Sequence, residues 1–204
     1  MANMAKDGSK FPAADSHKRQ QATAYVVAHA KAFSGDTFRF ANAGYASADV
    51  LISGYGAMQH GGRWNPRGEF PTTYLALDVE TAWAEKLHTF RHYGLPLEHC
   101  LPASLVLIKI NLFQVLDLTT ASHRNRLGLT AETMIAGRPP APNGSRHELA
   151  RHALARLAHA AGIEGLLVPS ARRPDGKNLV VFPQNLGKRS ELIIVNPERL
   201  PKRR

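Results

Sequence analysis

The chain has 204 residues, enough for one domain with a substantial core and short for two. Its composition, 44% hydrophobic and 21% charged, argues against a disordered or membrane-embedded chain, and a formal charge of +10 favours an anionic partner such as nucleic acid, an acidic protein or a phosphorylated small molecule. A single cysteine, Cys100, excludes an internal disulfide and a cysteine-based zinc site.

Residues 1–18 are polar and read as a flexible tail. They lack the apolar run of a signal peptide, and no later segment approaches the ~18 apolar residues of a membrane span, so a cytoplasmic protein is expected. An alanine-rich helix is predicted over 20–33, ended by Ser34-Gly35-Asp36, with a short strand at 38–40. Residues 43–68 hold six glycines and read as irregular backbone that turns tightly or approaches something closely. A strand at 72–77 leads into Asp78, a helix cap, and a helix over 79–92 stopped by Gly94 and Pro96.

Two β-rich runs follow, at 104–110 and 113–118, then a loop-like stretch over 119–143 with at most a short helix near 130–135. Ser145-Arg146-His147-Glu148 has capping-box form and opens a helix with an expected apolar stripe of Leu149, Ala153, Leu157 and Ala161, ending at Gly162. Strands are predicted at 166–168, 178–182 and 191–195, before a basic, mobile end over 197–204. Strands that adjoin without intervening helices imply an α+β fold with antiparallel or mixed sheets, in one domain over 19–204.

The chemistry concentrates in Gly61-Gly62-Arg63-Trp64-Asn65-Pro66-Arg67-Gly68, then Tyr74, then Ala82-Trp83-Ala84-Glu85. Arg63 offers a permanent planar cation suited to phosphate or carboxylate. Tyr74 can stack on a flat ring or hydrogen-bond, and Glu85 follows it by a strand-to-helix turn that can bring the two to one cleft edge. Cation, aromatic surface and carboxylate together suit NAD⁺. Loss of its nicotinamide leaves an oxocarbenium-like ribose that a carboxylate stabilises, and the leaving group is neutral, so one carboxylate suffices. The same spacing also allows a structural Arg63–Glu85 ion pair with Tyr74 and Trp64 in the core.

Gly62-Arg63-Trp64-Asn65 with Gly68, Tyr74-Leu75-Ala76 and Ala82 to Glu85 resembles the first signature of the RES domain. Gly165-Leu166-Leu167-Val168-Pro169-Ser170-Ala171-Arg172 resembles its serine signature, and Asn178 to Pro183 follow as that family leads one to expect. Phe38-Arg39-Phe40 is similar to its early arginine and Leu116-Asp117-Leu118 to its central strand.

The resemblance implies a fold like that of ADP-ribosyltransferases and a toxin of a toxin–antitoxin pair that degrades NAD⁺. Water, inorganic phosphate or a protein would be the acceptor, and an Xre-like antitoxin the neutralising partner. It implies that Arg63 holds phosphates or ribose, Tyr74 packs on nicotinamide or its ribose, Glu85 steadies the ribosyl cation and Ser170 positions substrate. Arg39 and Asn178 would bind or support, and Gly62, Trp64 and Asn65 would complete the substrate-binding set. NAD⁺ is then a substrate, with no prosthetic group or metal expected.

Competing patterns are weaker. Glu85, His88 and His92 share a helix face at a metal-ligand spacing, but a matching second helix is missing. The basic groups Arg172-Arg173, Lys188-Arg189 and Lys202-Arg203-Arg204 lack interleaved aromatics, so direct nucleic-acid binding is not expected. A non-enzymatic basic module for an acidic protein or nucleic acid is the alternative reading.

Overall fold

The computed structural model describes residues 16–42, 47–92, 94–137 and 145–201. Expectations for residues 1–15, for 43–46 in the glycine-rich stretch, for 138–143 in the loop-like stretch and for the basic 202–204 lie outside the described residues.

The chain runs α1 (Ser16–His29), β1 (Lys31–Asn42), α2 (Ala48–Ser53), α3 (Tyr55–His60), β2 (Thr73–Ala76), α4 (Val79–His92), β3 (Ala103–Asp117), α5 (Ala121–Arg126), α6 (Ala131–Ile135), α7 (Arg146–Ala160), β4 (Gly165–Pro169), β5 (Lys177–Val181) and β6 (Glu191–Ile194). The strands form one sheet in the order β1-β2-β5-β4-β3-β6. An additional β1–β3 pairing joins its ends into a five-strand circuit, with β6 outside it on β3. Among the described residues only β3 and β4 pair in parallel; the other pairings are antiparallel. The α+β expectation with a mixed sheet therefore holds.

Period-2 alternation divides the core. On β4 and β5, Leu166, Val168 and Val180 point to one apolar cluster with the α7 residues Leu154, Leu157 and Ala158. Leu167, Leu179 and Val181 point to the other, with Leu75 and the β3 residues Val106, Ile108, Ile110 and Leu112. Helices thus cover one face of the β2-β5-β4 layer, while the long β1–β3 ribbon covers the other.

Five sequence expectations are corrected. The first helix starts at Ser16, inside the expected tail, and ends at His29; residues 31–42 are strand. Ten consecutive register partners with β3, from Phe33–Leu112 to Asn42–Ala103, with a bulge between Lys31 and Phe33, override local helix propensity there. The two β runs are one 15-residue strand, β3. The glycine-rich stretch contains α2 and α3, joined at Gly54, which sits at φ 71°, where a Cβ would come within 2.4 Å of the Thr72 nitrogen. The helix α5 falls within the stretch read as loop. On α7 the buried positions are Glu148, Ala150, Arg151, His152, Leu154, Ala155, Leu157 and Ala158, while Leu149 is 55% exposed. The expected stripe of Leu149, Ala153, Leu157 and Ala161 is thus buried only at Leu157, and the buried Glu148 and Arg151 line a pocket.

Candidate active site

A cleft of about 520 Å³ opens between β1, β2, α4, α7 and the residues after β4, a size typical of small-molecule sites. Arg39, Gly62, Arg63, Trp64, Tyr74, Glu85 and Asn178 line it, together with Lys86, Glu148, Arg151 and Arg172.

Glu85 lies two turns into α4, a helix that Asp78 caps by accepting the Thr81 amide hydrogen at 2.7 Å. Its Oε1 accepts two hydrogen bonds, from Ser170 Oγ and from Asn178 Nδ2, each at 2.8 Å. Ser170 is itself held, because its Oγ accepts the Arg172 and Arg173 amide hydrogens at 3.1 and 3.2 Å. The end of β4 and the start of β5, paired through Val168–Asn178, thus aim two donors at one carboxylate oxygen. These two donors fix the rotamer of Glu85.

Tyr74 is central in β2. Its phenol donates to Asn65 Oδ1 at 2.7 Å and accepts the Trp64 amide hydrogen at 2.8 Å. Asn65 is fully buried, and its Nδ2 donates to the Ala57 carbonyl at 2.8 Å. Gly62 and Asn65 bridge across a tight turn, and a Cβ on Gly62 would come within 2.5 Å of both Asn65 Oδ1 and the Tyr74 hydroxyl. This turn explains the glycine before Arg63: backbone passes directly over the phenol. Trp64 is 1% exposed and packs in the helix-side core cluster. Asn65 and Ser170 are not among the lining residues; each bonds a residue that is.

Arg63 Nη1 donates to the carbonyls of Met134 at 3.3 Å and Ala136 at 2.7 Å, so the C-terminal end of α6 braces it. Burial lowers its proton affinity, and Arg172 lowers it further, against Glu85, Tyr74 and Glu148. Arg39 Nη1 donates to the Leu51 carbonyl at 2.6 Å, and burial lowers its pKa as well.

Sequence reasoning missed three contributors. Arg151 is 1% exposed yet lines the pocket, and its Nη1 donates to the Thr133 carbonyl at 2.6 Å. Burial first, then Arg63, pushes its pKa down to about 10, so it remains a cation at neutral pH. Lys86 is held by Asn42 Oδ1 and lies 5.0 Å over the Phe90 ring. His152, on the same α7 face as Arg151 and Glu148, has Nε2 2.9 Å from the Gly62 carbonyl. The spacing of Glu148, Arg151 and His152 puts all three on one face of α7, a helix that also carries Arg146, His147, Arg156 and His159, so the spacing alone did not single them out. Among the described residues, no three His, Cys, Asp or Glu side chains are grouped to hold a metal ion, and no helix is long and apolar enough to cross a membrane.

A mixed-sheet α+β domain with one cation-rich cleft, and a carboxylate fixed by a serine and an asparagine inside it, defines a class of small-molecule pocket protein. The chain belongs to the RES domain family, whose model matches residues 37–202. It is 33% identical over 132 residues to a protein named NAD(+) phosphorylase MbcT in Mycobacterium tuberculosis H37Rv and, equally, to its namesake in Mycobacterium bovis; the match covers 64% of this chain and 64% of each relative, just under two thirds of their length. A crystal structure of the M. tuberculosis MbcT–MbcA toxin–antitoxin complex holds a chain that superposes with a TM-score of 0.66 at 25% identity, covering 90% of this chain and 97% of that one.

Proposed function

We propose that this protein is a toxin that cleaves the bond between nicotinamide and ribose in NAD⁺, with Arg63, Tyr74 and Glu85 as its working residues. One observation carries the reading: Glu85 is held at Oε1 by Ser170 and Asn178 inside the cleft that Arg63 and Tyr74 also line. The similarity to proteins named NAD(+) phosphorylase supports the substrate.

When the glycosidic bond breaks, its electron pair passes to the pyridinium nitrogen and nicotinamide leaves neutral. Positive charge grows on the ribose carbon and its ring oxygen. A fixed carboxylate stabilises that charge without reorganising at the moment of reaction. An acceptor oxygen then bonds to the same carbon and gives up its proton. The name of the relatives, NAD(+) phosphorylase, favours inorganic phosphate as acceptor, yielding ADP-ribose phosphorylated on that carbon; water or a protein side chain would attack the same atom. Gly62, Trp64 and Asn65 form the turn that holds the Tyr74 phenol, Arg39 lines the cleft, and Asn178 holds Glu85.

The complex in which the similar chain was solved supports a protein antitoxin as partner, of the Xre-like type that the family leads one to expect. Purified protein incubated with NAD⁺ should release nicotinamide, with phosphate present or absent distinguishing phosphorolysis from hydrolysis. Glu85→Gln should slow release by roughly 10²–10³; a folded variant with wild-type turnover would remove Glu85 from the reaction.

A further inference from the structure

We propose that Arg151 is an oxyanion-holding residue of this cleft, forming with Arg63 and Arg172 a guanidinium wall that takes a phosphate-class group. Arg151 lies on α7, outside the RES-like signatures read from the sequence. The proposal deepens the reading above and rests on it only in taking the cleft as the substrate site.

Arg151 is 1% exposed and borders the cavity. Its recorded hydrogen bond uses Nη1, and its buried Nε–H has no acceptor among the described residues. The buried Nε–H of Arg172, which also borders the cavity, likewise has none among them. A buried donor without an acceptor forfeits the hydrogen bond it makes in water, a heavier penalty when charged, so two such donors beside one cavity need an explanation. Charge bears on it in both directions: Arg63 and Arg172 act against the charge on Arg151, and Arg172 against that on Arg63, while Glu148 and Tyr74 favour both. The lining carboxylates are Glu85 and Glu148, and Glu85 already accepts from Ser170 and Asn178.

A purely structural arginine would be expected to spend its fork on the protein. Here α6 holds the guanidinium groups of Arg63 and Arg151 by backbone carbonyls, at Met134, Ala136 and Thr133, which fixes their position without neutralising them. Planar forks held this way match the oxygens of a phosphate group in two-point contact. The group is either the diphosphate of the dinucleotide or a free phosphate ion.

Calorimetric titration separates the two sources, with ADP-ribose, which lacks the scissile bond, and inorganic phosphate as probes. Wild type, Arg151→Lys and Arg172→Gln are compared, each checked for a cooperative thermal transition. Arg172 is only partly buried, so its variant keeps the test usable where Arg151→Lys fails to fold. Binding of ADP-ribose weakened roughly 10–100-fold in the folded variants assigns the wall to the diphosphate. The same loss for inorganic phosphate assigns it to the free ion. Unchanged affinity for both probes overturns the proposal. Nicotinamide release is measured alongside: wild type that binds a probe through Arg151 yet leaves NAD⁺ intact retains the oxyanion wall and loses the NAD⁺ reading, whereas turnover with arginine-independent binding does the reverse.

Discussion

Ser170 donates its hydroxyl hydrogen to Glu85 Oε1 at 2.8 Å across 85 positions of sequence, and Asn178 donates to the same oxygen. The carboxylate is therefore oriented by strands β4 and β5 as much as by its own helix. Ser170→Ala and Asn178→Ala should each slow nicotinamide release by about tenfold, the scale of one net hydrogen bond to a charged group. In a Glu85→Gln background either change should add little, because groups acting as a unit are not additive. Full additivity in that double-mutant cycle would mean that the two donors act on something other than Glu85.

The contact between Gly62 and Tyr74 carries a prediction about stability and activity together. Gly62→Ala places a methyl group within 2.5 Å of both Asn65 Oδ1 and the Tyr74 hydroxyl, so the turn or the phenol must move. Tyr74→Phe leaves the space but strands the Trp64 amide hydrogen, at an expected cost of about 1–3 kcal/mol. Both variants should melt earlier than wild type by thermal denaturation. Gly62→Ala should also lose most turnover, since Arg63 follows it directly. A Gly62→Ala protein with normal melting and turnover would show that the turn adapts freely.

Burial holds His152 below its ordinary pKa of 6.5, although the Gly62 carbonyl and Glu148 pull the other way. The unfolded chain then binds more protons than the folded one between the lowered value and 6.5, so stability rises with pH through that window and is lost as pH falls through it. His159 is lowered by burial as well and adds in the same direction. Melting temperature should drop as pH is taken from about 7 to 5, and His152→Gln, which keeps a donor for the Gly62 carbonyl, should flatten the curve. An unchanged slope in that variant would uncouple His152 from the acid response.

The sequence was most informative where one local pattern decided the outcome. Asp78 followed by an amphipathic run defined α4 and hence the place of Glu85, and Ser145 does accept the Glu148 amide hydrogen at 3.1 Å, as its capping-box form implies. It failed where pairing partners or helix phase decided. Ala30, Lys31 and Ala32 continue a helical composition, yet residues from Lys31 onward are strand because β3 lies alongside. Arg151 was invisible because its importance depends on which side of an alanine-rich helix turns inward. Trp64 and Asn65 entered the substrate-binding set through the resemblance; Trp64 lines the cleft from the core, and Asn65 accepts the Tyr74 hydroxyl hydrogen.

Arg63 depends on α6, a helix of five residues at the place where the sequence allowed a short helix, near 130–135. Thr130 caps it, its Oγ1 accepting the Thr133 amide hydrogen at 3.0 Å. Thr130→Ala removes that acceptor, for an expected loss of about 0.5–2 kcal/mol in helix or protein stability. The Met134 and Ala136 carbonyls that hold Arg63 and the Thr133 carbonyl that holds Arg151 all belong to this helix or its exit. Glu85, held by β4 and β5, is anchored independently of it. Loosening α6 should therefore weaken substrate binding more than the bond-breaking step: KM for NAD⁺ should rise severalfold while kcat changes little. A fall in kcat at unchanged KM would mean instead that α6 acts on the reacting carbon and not on the anion-holding arginines.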